Sequence, residues 1–488
     1  MEKGCNLRSM EKRNGVEVNE GVYLKKSIGY FVGVNFIVGV IVGSGIFISP
    51  AGLLEYSRLN VGVALSIWTA SGVLSMLGAL CYAELGTALP SSGGEYYYVN
   101  RGLGPIPAFL LLWIKTVCVM PMSSSILAMT FAEYAIQPFY SGCPAPVLVK
   151  KGVAIAVILT ISCVNCLSVT GGLWVQKICT FLKMVALVII SIGGLVLLAK
   201  GRTENLENAF SGEIPNVSQI GQAFYQGLWA FSGWNTLNYL EEEVKNPSKT
   251  IPRCIITAVP CVIVFYLLVN VSYLTVMTPK DMVSSAAVAV TWADRTIGHF
   301  SWIIPVSVAI STFGSLNSST FLQSRLNYVA SRERHLPHVL SMLHVKYLTP
   351  APAIIFSTIF SIFFLIPSNI LMLTNYSSFA EWLMVGLTCI SLIVLRYREP
   401  NLHRPYKVFL PFAFVMAAAS FFLVLSPIIQ EPEVEYVYAL MLMLGGLIFY
   451  IPFVQFKLHF KIFDKITCFL QLLMEVSPPT EYSEIKCQ

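Results

Sequence analysis

Apolar residues gather along the chain into twelve runs, near 28–56, 61–88, 103–136, 150–168, 172–200, 218–243, 254–277, 300–331, 351–366, 373–395, 409–428 and 436–456. These runs have lengths suited to crossing a hydrocarbon layer of roughly 30 Å, where a backbone must satisfy its own hydrogen bonds. The pattern predicts an all-α polytopic membrane protein with about 12 transmembrane helices. Two runs are interrupted at mid-depth by glycine and small polar residues. The first breaks at Gly43-Ser44-Gly45 and the sixth at Phe231-Ser232-Gly233-Trp234-Asn235. The breaks lie one five-span unit apart, and such matched interruptions point to an inverted-repeat transporter with its substrate site between them. The longest connection, about residues 278–299, has room for short helices of its own.

Composition agrees with that solvent. Of 488 residues only 12% are charged and 55% are hydrophobic, with mean hydropathy +0.68, whereas soluble domains carry about 25% charged residues. A disordered chain, a nucleic-acid binder and a cytosolic enzyme are excluded. The net charge of +6 becomes informative through its distribution: 23 of the basic residues fall in connections on the side of the N-terminus and 7 on the other. By the positive-inside rule both termini are cytosolic. Residues 1–27 are polar and basic with no apolar core, so they read as a cytosolic tail rather than a signal peptide. Residues 28–457 read as one transporter domain, and residues 458–488 as a cytosolic C-terminal tail. Most of the twelve cysteines sit inside apolar runs, and the Cys163/Cys166 pair reads as packing rather than as a metal or redox site.

A helix broken at Gly43 to Gly45 frees N–H groups at the start of its outer half and carbonyls at the end of its inner half. The N–H end carries partial positive charge and suits a carboxylate, with Ser44 adding a hydroxyl. Carbonyls near Ile41 and from Trp229 to Ser232 suit an ammonium group. Together these clusters form a recognition site for a free α-amino acid. Trp229, beside the second break, is placed to cover a substrate and exclude water.

Three charges stand deep in the spans. Lys183 in the fifth needs acceptors, for which carbonyls of the broken first span and of the eighth are candidates. An ammonium there would take the place of a sodium ion, making transport independent of sodium. Lys115 in the third span and Glu381 in the tenth have opposite signs and pair as one reading, while in another Lys115 meets an acidic substrate. Two signals are local. Cys143 lies in an outer connection, where an interchain disulfide is the natural inference. Asn216 heads an Asn-Val-Ser sequon placed close to the sixth span.

GVIVGSGIFISP at 39–50, CYAELGTALPSSGGEYYYV at 81–99, GLWAFSGWNTLNYLEEEVKNPSKTIP at 227–252, FGSLNSSTFLQSRLNYVASRERHLP at 313–337 and LRYREPNLHRPYKV at 395–408 resemble one family. It comprises the light chains of the heteromeric amino-acid transporters, in the amino acid–polyamine–organocation superfamily, with a LeuT-type fold. The motifs keep the family's order and spacing over about residues 25–480. The resemblance implies a 5+5 inverted repeat with two further helices and an obligatory, sodium-independent exchange of L-amino acids. It implies that Gly43, Ser44 and Gly45 hold the substrate carboxylate and that carbonyls of Ile41, Trp229 and Ser232 take the amine. It also implies that Cys143 links the chain to a single-span glycoprotein heavy chain, which carries it to the plasma membrane, and that Lys183 is the family's fifth-span lysine.

The chain departs from the family with Lys115 in LWIK, Met120, Glu381 and Trp229, and so resembles most the aspartate/glutamate branch. Substrates are accordingly expected to be acidic amino acids, with cystine and neutral amino acids as further readings. A Lys115–Glu381 pair is the preferred arrangement, for which reversing both signs should preserve folding better than either single change. Among other classes, an enzyme would need a catalytic constellation. The nearest, His335 with His338, reads as solvated loop residues. No metal or cofactor motif is present, and no filter segment marks a channel. An amino-acid sensor without transport is separated from a carrier by flux.

Overall fold

The computed structural model describes residues 28–478 apart from 90–92, 137–138, 141–144, 242–243, 286, 368, 431–433, 457 and 459–460. The expected tail 1–27 and Cys143 lie outside the described residues. The described chain is almost wholly helical. Among the described residues, seven helices are long and apolar enough to cross a membrane: Val61–Ala88, Pro105–Ile136, Val147–Leu167, Trp174–Ala199, Pro247–Leu274, Gly298–Arg332 and Ile370–Arg398. A bent pair, Tyr30–Ile41 with Gly45–Tyr56, supplies the first span, with 44° between its halves. The sixth is Val217–Ala230 followed by Thr236–Tyr239. Shorter apolar helices Ala351–Phe363, Leu410–Ser426 and Leu440–Gln455 occupy the ninth, eleventh and twelfth positions. This is the all-α LeuT-type architecture, with its spans in the expected order.

Several helices outrun their apolar cores. The seventh starts at Pro247, after Asn246 in a left-handed conformation, so Lys249 and Arg253 fall in its first turns ahead of the apolar run from 254. The tenth runs on to Arg398. Asn216 caps the sixth: its side chain accepts from the Gln219 amide at 2.7 Å while Gln219 accepts from the Asn216 amide at 3.0 Å. That capping box occupies the sequon asparagine, and Ser218 is fully buried. The outer connection folds as Pro279–Ser284 and Val288–Thr296, as its length allows. The third span contains a π-turn, Lys115–Val119.

The spans pack as two groups. The first, second, sixth and seventh touch one another, as do the third, fourth, eighth and ninth, while the fifth and tenth bridge between groups. The outer halves of the two broken spans meet backbone to backbone, since a Cβ on Gly45 would lie 2.3 Å from the Cα of Ala230. Two features went unforeseen. A helix, Gly94–Leu103, joins the second and third spans and packs along the tenth. The segment read as a C-terminal tail also folds, as Lys461–Met474 and a strand pairing Val476–Ser477 with Leu343–His344.

At the cytosolic end Glu84 forms a buried knot. Its carboxylate accepts from Arg396 through two nitrogens and from the Val408 amide at 2.8 Å, and it forms an ion pair with Arg404 at 3.3 Å. Removing one partner of a buried ion pair strands the others at about 3–5 kcal/mol. Glu84→Ala should therefore lower stability by that amount. Thermal unfolding of the purified protein checks it, a melting temperature equal to wild type being the contrary result.

Candidate substrate site

The breaks arise where Val42, Gly43 and Ser44 leave the helix. Beyond them Phe47 and Ile48 donate back to the Ser44 carbonyl, but the amides of Ser44, Gly45 and Ile46 find no acceptor among the described residues. They form the positive end of the outer half-helix, suited to a carboxylate. In the sixth span the turn 231–235 separates the two helical pieces. A cavity of about 150 Å³ lies between the breaks, and Ile41, Gly43, Ser44, Gly45, Lys115, Trp229, Ser232 and Glu381 all line it. It continues toward the cytosolic side past Asn235, Tyr239 and Leu322. On the outer side Gln226 donates to Asn375 at 2.8 Å and Asn375 to Tyr56 at 3.0 Å, tying the two broken spans to the tenth.

The expected amine acceptors are not equally available. The Ile41 carbonyl already accepts from the Gly43 amide at 2.8 Å and the Tyr266 hydroxyl at 2.9 Å. The Trp229 carbonyl accepts from the Ser232 amide at 3.0 Å. The Ser232 carbonyl has no donor among the described residues, which makes it the most available of the three.

Lys183 is fully buried, and its ammonium donates to the carbonyls of Gly39 at 2.6 Å and Val42 at 2.7 Å and to the Ser315 hydroxyl at 3.1 Å. A cation at the carbonyl end of the inner half-helix neutralises its dipole. The eighth span contributes a hydroxyl, not the carbonyl considered as a partner.

Lys115 has two carboxylate partners. Glu381 is one, at 3.4 Å, but Glu95 of the helix Gly94–Leu103 is nearer, at 2.6 Å. The side chains of Lys115 and Glu95 are 4% and 1% exposed, that of Glu381 25%. The expected pair is thus two-thirds of a cluster whose formal charge is negative. Glu95 was missed because it falls in a polar connection. The signal was in the demand of a deep lysine for carboxylate partners, which the acidic motif GGEYYYV just before the third span could meet. His335 also departs from expectation: its Nδ1 lies 2.5 Å from the Tyr96 hydroxyl, between the end of the eighth span and that same helix. Burial pushes its imidazole below the usual range. His338 is exposed, as expected.

Two broken helices crossing at a buried cavity, with free amides on one side and a tethered cation behind, define an inverted-repeat membrane transporter. The amino acid permease model matches residues 28–451, and the chain belongs to that family. It is a transporter, not an enzyme. It is 49% identical to the human (Homo sapiens) b(0,+)-type amino acid transporter 1, over 94% of this chain and 95% of that protein. With solute carrier family 7 member 13 of Rattus norvegicus identity is 44%, over 95% and 97%. The cystine/glutamate transporter of Pongo abelii is 40% identical, over 94% and 92%.

Glu95 changes what sign reversal should do. Lys115→Glu with Glu381→Lys sets a carboxylate against Glu95, whereas Lys115→Met with Glu95→Gln removes the ammonium together with its nearer partner. The second double variant should be the more stable, and Lys115→Met alone should cost about 3–5 kcal/mol. Thermal unfolding in detergent ranks them; a sign-reversed protein as stable as wild type would leave Glu381 as the partner that matters.

Proposed function

We propose that the chain is a sodium-independent exchanger of L-α-amino acids that works by alternating access. Carriage to the plasma membrane by a single-span glycoprotein heavy chain, linked through Cys143, belongs to the same reading. The observation that carries it is the Lys183 ammonium on the carbonyls of Gly39 and Val42, beside the free amides of Ser44 to Ile46. A covalently held cation performs the electrostatic task of a bound metal ion and cannot dissociate. The carboxylate of an amino acid fits the amides, and its amine fits the Ser232 carbonyl under Trp229.

The acidic preference expected from the sequence drew on Lys115 as an available cation. Its ammonium is shared between Glu381 in the cavity wall and Glu95 behind it, so it has no charge left over for a third carboxylate, which the cluster's excess negative charge repels. Neutral side chains fit this wall better. Proteoliposomes free of sodium and preloaded with leucine, aspartate, cystine or nothing test both points. Labelled leucine should enter fastest against internal leucine. Stimulation of labelled aspartate uptake by internal aspartate alone would reinstate the acidic class, and folded protein with no stimulated flux would favour a sensor. Lys183→Ala removes charge-assisted bonds worth about 1.5–3 kcal/mol each, so its exchange rate should fall by roughly tenfold or more. Exchange at the wild-type rate would dismiss the tethered cation.

A further inference from the structure

Glu95 lies behind Lys115 and outside the cavity lining, yet it joins the broken sixth span to the third and tenth. Its helix, Gly94–Leu103, is fastened to the tenth span: the Ser391 hydroxyl donates to the Tyr98 carbonyl at 2.6 Å and Arg398 to the Gly102 carbonyl at 3.3 Å. Arg101 also pairs with Glu399 at 3.0 Å. From that mount one carboxylate oxygen accepts from Lys115 of the third span at 2.6 Å. The other accepts from the Asn235 side chain at 2.8 Å. Asn235 closes the sixth-span break, three residues after Ser232, and precedes the short helix Thr236–Tyr239. Two contacts run beside this one. Asn238 donates to the Tyr98 hydroxyl at 3.2 Å, and Tyr239 packs so closely on Gly94 that a Cβ there would come within 2.6 Å of its ring.

We propose that Glu95 is a positioning residue that enforces exchange: its bond to Asn235 latches the sixth span to the third and tenth while the site is empty, and substrate bound at the break releases it. The proposal rests on the exchanger reading. Displacing the sixth span in an empty carrier pulls Asn235 from a carboxylate oxygen with almost no access to water, and Lys115 is already shared with Glu381. A stranded charge of that kind opposes the movement. A loaded carrier differs at the turn itself. The substrate amine takes the Ser232 carbonyl, and the turn that aims Asn235 then has a second set of partners. Substrate thereby favours the released state through contacts that the empty protein lacks.

Proteoliposomes holding labelled leucine, diluted into sodium-free buffer with or without unlabelled leucine, give the ratio of exchange to empty return. Asn235→Ala removes the latch but leaves the Lys115–Glu95 pair, and Asn235→Asp replaces attraction by repulsion at the same size. Both should lower the ratio by raising unstimulated efflux, roughly tenfold for the loss of one charge-assisted hydrogen bond. Glu95→Gln, which keeps the shape and weakens the bond, should fall between them and wild type. A purely structural role would lower both fluxes together. An unchanged ratio in any variant that purifies folded overturns the latch, and one folded variant among the three suffices for that decision. A wild-type ratio near one would instead defeat the exchanger reading, so the two failures are distinguishable.

Discussion

A helix interrupted inside hydrocarbon must recover from outside itself the hydrogen bonds its backbone has lost. The first span does so unequally. The carbonyls of its inner half are met by Lys183 and Ser315, while the amides of its outer half are left facing the cavity. That inequality organises the surroundings. It requires a cation where no ion need be supplied, glycine where the two broken spans touch, and small polar residues on the eighth span opposite the break. A fold built to finish both ends with protein groups would leave no backbone amides free at the cavity.

The two groups of spans meet chiefly through polar contacts near the breaks and through apolar packing elsewhere. Above the cavity the chain Gln226–Asn375–Tyr56 closes the outer side, and below it Glu95 collects Lys115 and Asn235. Both arrangements join a broken span to helices that have no break. Hydrogen bonds are directional and exchange readily for others, which distinguishes these contacts from the interlocked side chains that pack the rest of the bundle.

Much of this was legible in the chain before any coordinates. Hydropathy marks the spans because a helix in lipid has few other ways to be stable, and the breaks at Gly43 and Ser232 stand out as polar interruptions in long apolar runs. Lys183 could be assigned acceptors on the first span because a buried ammonium needs them. The helix Gly94–Leu103 was not legible, since it is short, polar and bounded by apolar runs that dominate any window. Glu95 was lost with it. The folded C-terminal segment escaped for a related reason: its strand is two residues long, and its partner Leu343–His344 lies more than a hundred residues upstream, a pairing that local pattern does not encode.

The π-turn at Lys115–Val119 gives the third span two independent registers. One additional residue in a turn rotates everything beyond it by about 100° relative to an unbroken α-helix. The inner half can therefore stack Trp113 on Phe449 of the twelfth span, while the outer half turns a different face to the eighth. Here the π-turn separates the surface that anchors the helix from the surface that meets the cavity. Drift on one side then leaves the other side's alignment intact, so specificity can diversify among descendants without renegotiating the packing of the bundle.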